Sequence, residues 1–166
     1  MKKIVFVVMA LVMAAGAHAQ YALKVGSRQL NAGFGSSNRG LPVYAGIDWG
    51  VQTDISVGGE LSFRNYNENI ITTNYKHTVI GLMANANYHF NGITDIPEEY
   101  DFYGGLGVGF FFVSAASDYA GNIGSSIGIG AQIGARYYFN PKLALNIEFN
   151  SNTVLSGGKI GVTFKI

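Results

Sequence analysis

The chain contains no cysteine. That excludes a disulfide framework and thiolate-ligated metals. It leaves export open, because disulfides are optional in the cell envelope. Charged residues make up 13% of the 166 positions, about half of the ~25% usual in a globular domain. A surface facing water on all sides needs more charge than this. The formal net charge of +1 offers no electrostatic footprint for nucleic acid. Proline is scarce, at 3 residues. Beyond the N-terminus no apolar run approaches the ~20 residues of a transmembrane helix. No stretch repeats apolar residues with a 3.6-residue period of good quality. After the N-terminal segment only His77 and His89 remain as histidines, with no metal-ligand spacing around them. No metal, cofactor or nucleic-acid partner is expected.

What the chain does have is glycine, at 23 residues, together with 11 Phe and 10 Tyr. Its first segment, "MKKIVFVVMALVMAAGAHAQ", places Lys2 and Lys3 before an apolar run from Ile4 to Ala15 and then Ala17-His18-Ala19. A basic start, a short apolar centre and an A-x-A site define a secretory signal peptide. Residues 1–19 are expected to be a cleaved leader, and 20–166 one domain. No cysteine follows the apolar run, so lipoprotein processing is excluded.

Hairpin punctuation recurs through the remainder. The pattern predicts eight strands: within Ala22 to Gly35, then about Val43 to Gln52, Ile55 to Tyr66, Lys76 to Phe90, Asp101 to Val113, Ser126 to Phe139, Leu143 to Asn150, and Lys159 to Ile166. In "LALNIEFNS", Leu143, Leu145, Ile147 and Phe149 alternate with Ala144, Asn146, Glu148 and Asn150. This is one greasy face and one wet face. The same parity sorts the other strands. The first strand is the poorest, with a bulge expected before Gly26. The class is all-β, an eight-stranded antiparallel up-and-down meander.

Aromatic placement decides which face looks outward. With strands alternating up and down, Trp49, Tyr88, Phe90, Phe102, Tyr137 and Phe139 fall at one end of the apolar face. Phe34, Phe63, Phe110, Phe112 and Phe149 fall at its other end, with Leu, Ile, Val and Ala between. Two aromatic girdles around an aliphatic band are the outer wall of a membrane barrel, and lipids are then its expected partners. A closed barrel satisfies every backbone group without water. The opposite face carries Asp48, Glu60, Arg64, Arg136, Glu148, Lys159 and Lys165 among many Gly and Asn. Eight strands leave an interior that side chains fill. Glycine makes room there for Tyr44, Tyr103, Phe111 and Tyr138.

The leader, the eight alternating strands and the strand ending, "GGKIGVTFKI", resemble the small bacterial outer-membrane β-barrel family, of the OmpA transmembrane-domain and OmpX type. The resemblance covers nearly the whole chain after the leader. It implies an outer-membrane location and passage through the barrel-assembly machinery. Many members end in an aromatic residue that this machinery reads; here Ile166 is last, with Phe164 two before it.

Several candidate sites stand inside this frame. Asp48, Glu60, Arg64, Arg136, Glu148 and Lys159 are expected to form a charge network in the lumen. It either plugs and stiffens the barrel or lines a narrow ion path. His77 and His89 face inward, but no serine and acid stand near either at the spacing of lipid-modifying enzymes, so no catalytic residue is expected. The outer connections, about Ser36 to Pro42, Asn65 to Tyr75, Ser114 to Gly124 and Ser151 to Gly158, suit hairpin tips and also an unknown surface ligand. "NGITDIPEEYD", with Glu98, Glu99 and Asp101, reads as an acidic loop on the inner side. "GLGVGF" lies within a strand with no following helix, so it is not a nucleotide loop. The expected role is structural or surface-interacting. The rivals are a narrow solute channel, a soluble lipocalin-like carrier and a lipid-modifying enzyme.

Overall fold

The computed structural model describes residues 23–70, 73–92, 96–114 and 124–166, so the expected leader at residues 1–19 lies outside the described part. The strands are β1 (Arg28–Ser37), β2 (Val43–Gln52), β3 (Ile55–Ile70), β4 (Thr73–His89), β5 (Tyr100–Ser114), β6 (Ser126–Asn140), β7 (Leu143–Asn152) and β8 (Ser156–Lys165). Each pairs antiparallel with its neighbours in sequence, and β8 closes on β1, giving an eight-stranded barrel. Closure runs from Gln29↔Lys165 to Ser37↔Gly157. Within the barrel wall it removes the free sheet edges.

The wall is inverted relative to a water-soluble protein. Large apolar side chains point outward: Leu106 is 70% exposed, Ile129 65% and Ile147 42%. Polar side chains point inward: Gln29, Ser56, Asp101 and Thr163 are fully buried. This follows from the alternation, since a pleated strand in a closed sheet must send every second residue into the lumen. A ten-residue strand such as β1 is roughly 33 Å long and stands ~25 Å high when tilted, the height of an outer-membrane apolar band. A soluble lipocalin-like carrier needs the opposite arrangement.

One end of the barrel, called here the turn end, carries the tight β2–β3 and β6–β7 turns, the longer β4–β5 connection and both ends of the described chain. There Asp54 adopts φ 61° in the β2–β3 turn. At the β6–β7 turn, Asn140 Oδ1 accepts the backbone N–H groups of Lys142 and Leu143 at 2.9 and 3.0 Å. The β1–β2, β3–β4, β5–β6 and β7–β8 connections lie at the other end, called here the loop end.

Beside the place where a bulge is expected, Gly26, with φ 82°, donates its N–H to Gly50 O while the Gly50 N–H donates to Ser27 O, two residues against one, and regular pairing begins at Arg28. Register shifts also occur at Gly50/Gln52 and at Tyr138/Asn140, both beside turns. Two expectations about local structure are corrected. The β3–β4 connection is not a loop from Asn65 to Tyr75. Its ladder continues to Ile70↔Thr73. Backbone pairing does not need apolar side chains, so the ribbon rises past the greasy wall with polar residues on it. Finally, Asp101, expected both at the start of the fifth strand and in the acidic loop, belongs to the strand: it lies in β5, buried in the lumen.

Candidate functional site: the polar lumen

Side chains fill the lumen in two charged layers. Nearer the turn end, the Arg136 guanidinium donates from Nη2 to Asp48 Oδ2 and from Nη1 to Asp101 Oδ2, each at 3.0 Å. Asp48 Oδ2 also accepts the amides of Gln29 at 3.0 Å and Asn31 at 2.8 Å. The Thr163 hydroxyl donates to Asn31 Oδ1 at 2.7 Å, and the Tyr138 hydroxyl to Gln29 Oε1 at 3.1 Å. Five strands thus meet on one buried guanidinium–carboxylate group. Burial makes this necessary, because an unpaired charge there costs several kcal/mol (roughly) after relaxation.

Asp101 has a second partner. Its Oδ1 lies 2.7 Å from His89 Nδ1, and His89 Nε2 lies 2.9 Å from Ser56 Oγ. A carboxylate only accepts, so Nδ1 carries the proton. In the neutral ring Nε2 then accepts from the serine hydroxyl. A serine and an acid thus flank His89 in space, from 33 and 12 residues away, although no such pair stands near it at the spacing of lipid-modifying enzymes. Residues 33 apart in sequence meet because the β3–β4 register sets Ser56 opposite Asn87, two positions from His89. The three side chains have the order of a nucleophile, base and acid relay. They differ from one in access: Ser56, His89 and Asp101 are buried, and Asp101 is shared with Arg136.

Nearer the loop end, Lys159 Nζ lies 2.6 Å from Glu60 and 2.6 Å from Glu148. Glu148 Oε2 also accepts from the Tyr103 hydroxyl at 2.9 Å. Tyr103 links the layers, because the Arg136 guanidinium stands 4.2 Å over its ring. Gly134 allows this placement: a Cβ there would overlap the Tyr103 ring. Gly81 and Gly128 make the same concession to Phe111. The space between the layers, beside Asp48, Glu60, Gln132, Arg136 and Glu148, is about the size of one water.

Of the residues expected in the network, Asp48 and Arg136 join one layer, and Glu60, Glu148 and Lys159 the other. Arg64 joins neither. It sits higher, where its guanidinium donates to the Ser37 and Ser62 hydroxyls at 3.1 and 3.2 Å. Glu60 and Arg64 share a face of β3 but do not pair with each other. The sequence reading missed Asp101 as a lumen carboxylate. Its parity with Tyr103 was the available signal, hidden by the neighbouring Glu98 and Glu99. Higher still, His77 Nε2 lies 3.5 Å from Glu68. A small apolar cluster of Val79, Phe111 and Leu155 covers this end.

On the outer wall, Trp49, Tyr88, Phe90 and Phe102 stand exposed toward the turn end. Tyr137 packs edge-on to Phe139 at 5.4 Å and tilts against Tyr100 at 5.1 Å. Phe34, Phe63, Phe110, Phe112 and Phe149 stand exposed higher up. Phe110 and Phe112 meet edge to face at 4.6 Å.

The model of the outer membrane protein beta-barrel domain matches residues 4–164. No curated protein matches the sequence. Among solved structures, the outer membrane protein OprG from Pseudomonas aeruginosa is similar, with 13% identity, 89% of this chain and 99% of that chain covered, and a TM-score of 0.68. The N-terminal β-barrel domain of Pseudomonas aeruginosa OprF shares 17% identity over 86% of this chain and 98% of that one, with a TM-score of 0.58. Neisserial surface protein A shares 15% identity over 84% and 95%, with a TM-score of 0.57. At such identities the likeness is one of fold.

Proposed function

This chain belongs to the outer membrane protein beta-barrel domain family, and from that premise we propose that it is a closed, non-catalytic integral barrel whose contacts are made at its outer rim. The observation that carries this reading is the lumen filling. Lys159 is clamped between two glutamates at 2.6 Å, and Arg136 between two aspartates at 3.0 Å. An ion crossing the barrel would have to part both layers. The exposed aromatic rings toward the two ends of the wall act as interfacial girdles, with the turn end on the periplasmic side and the loop end outside. Outer-membrane lipids are the standing partners, and the assembly machinery is a transient one during insertion.

Burial of Ser56 supports a structural rather than catalytic role for the Ser56–His89–Asp101 relay. A nucleophile needs room for a substrate carbonyl beside it. Recordings of the purified barrel in planar bilayers test the proposal. A silent membrane is expected; steady unitary conductance from the unaltered protein would favour the narrow channel instead.

A further inference from the structure

We propose that a hollow on the outer rim, between the β1–β2 connection and the β3–β4 ribbon, holds the phosphate of a glycolipid headgroup in the surrounding leaflet. The register of β3 and β4 places it. Outward positions on β3 run Leu61, Phe63, Asn65, Asn67, and their partners on β4 run Leu82, Ile80, Thr78, Lys76. The wall therefore passes from aliphatic to aromatic to amide and then to a cation. Lys76 stands four residues beyond Ile80, roughly 13 Å further along the strand, which is past the greasy band. The β1–β2 connection brings Arg39 to the same level.

Together these residues line an open hollow of about 490 Å³ with Asn38, Leu41, Asn65 and Asn67. Its chemistry is one-sided. No carboxylate lines it. Neither Arg39 nor Lys76 has an ion pair among the described residues. The nearby Glu68 is turned toward His77. Asn65 Oδ1 is engaged by the Thr78 hydroxyl at 2.7 Å, and Asn38 Oδ1 by the Ser156 N–H at 3.3 Å. Each amide thus keeps its N–H donors for an acceptor. A guanidinium, an ammonium and amide donors converging on one space suit a multi-oxygen anion. Leu41, 72% exposed, and Val43 and Phe63 below it join the hollow to the apolar wall. That continuity favours a phosphate carried on acyl chains over a free one. The inference rests on the reading that this wall stands in a membrane.

The test uses the full barrel in detergent micelles, with a diphosphorylated glucosamine-disaccharide lipid and its dephosphorylated counterpart as probes, and native mass spectrometry as readout. The phosphorylated lipid should be retained about tenfold better. The Arg39→Ala/Lys76→Ala double variant and the single Lys76→Glu variant should lose that preference. Equal retention of both lipids overturns the proposal, as does an unchanged preference in the variants. Displacement by inorganic phosphate at concentrations equal to the lipid also overturns it, since that marks a free-anion site. Insertion of each protein into phospholipid vesicles is checked in parallel. If the unaltered chain fails to insert, the membrane reading itself fails.

Discussion

The imidazole of His89 is held by Asp101, with Nδ1 2.7 Å from Oδ1, inside the turn-end layer of the lumen. Arg136 grips the other oxygen of the same carboxylate at 3.0 Å. One buried aspartate therefore satisfies a cation and a ring nitrogen at once, and Ser56 completes the chain on the far side of the ring.

Asp101→Asn should be costly for that reason. It leaves Arg136 with only Asp48 and weakens the hold on His89. A loss of about 3–5 kcal/mol is expected, as for other broken buried pairs. Ser56→Ala removes one neutral hydrogen bond and should cost about 1 kcal/mol. Urea unfolding in phospholipid vesicles, followed through Trp49, the chain's single tryptophan, measures both. A fluorophosphonate probe should leave Ser56 unlabelled. Labelling there would contradict the structural reading of the relay.

Lys159 sits between two carboxylates, so removing it and removing the whole group have different consequences. Lys159→Ala leaves Glu60 and Glu148 facing each other and should destabilise by about 3–5 kcal/mol. It should also admit cation-selective openings in planar bilayers. Replacing all three at once, with Glu60→Gln, Glu148→Gln and Lys159→Met, should come within about 1–2 kcal/mol of the original, because no buried charge is left unpaired. Strict additivity of the single effects would contradict the layer as a coupled unit.

Gly134 and Tyr103 are coupled sterically. Gly134→Ala places a methyl group into the tyrosine ring and should cost about 1–3 kcal/mol. In a Tyr103→Ala background the same change should cost much less. A double-mutant cycle on unfolding free energy reads this; equal costs in the two backgrounds would remove the contact from the account.

On the outer wall, Leu106→Arg or Ile129→Arg should destabilise the inserted barrel by about 2–4 kcal/mol, the penalty for arginine near the bilayer midplane. Asn67→Arg, above the band on β3, should cost little. A reversed order would place the hydrocarbon elsewhere on the barrel.

Parity within single strands was enough to separate Ile147 from Glu148 and Trp49 from Asp48. It therefore made the barrel, its inverted wall and most lumen charges legible in the sequence. What parity cannot supply is register between strands. That Lys159 reaches Glu60, 99 positions away, depends on closure of β8 onto β1 and on the stagger around the barrel. The Ser56–His89 contact was hidden for the same reason. Asp101 stands at the start of the expected fifth strand, but its two acidic neighbours grouped it with a loop and hid its lumen role, although Tyr103 shares its face. The reach of β3 and β4 to Ile70 and Thr73 was hidden because polar alternation resembles loop composition.

The central claim is that the apolar wall meets hydrocarbon and the polar face does not meet bulk water. The absence of cysteine permits clean single labelling, so nitroxides attached through Leu106→Cys and Ile147→Cys in reconstituted vesicles test it directly. Collisions with dissolved oxygen should far exceed those with a water-soluble nickel chelate at both positions. Nickel collisions dominating at Leu106 and Ile147 would contradict the account.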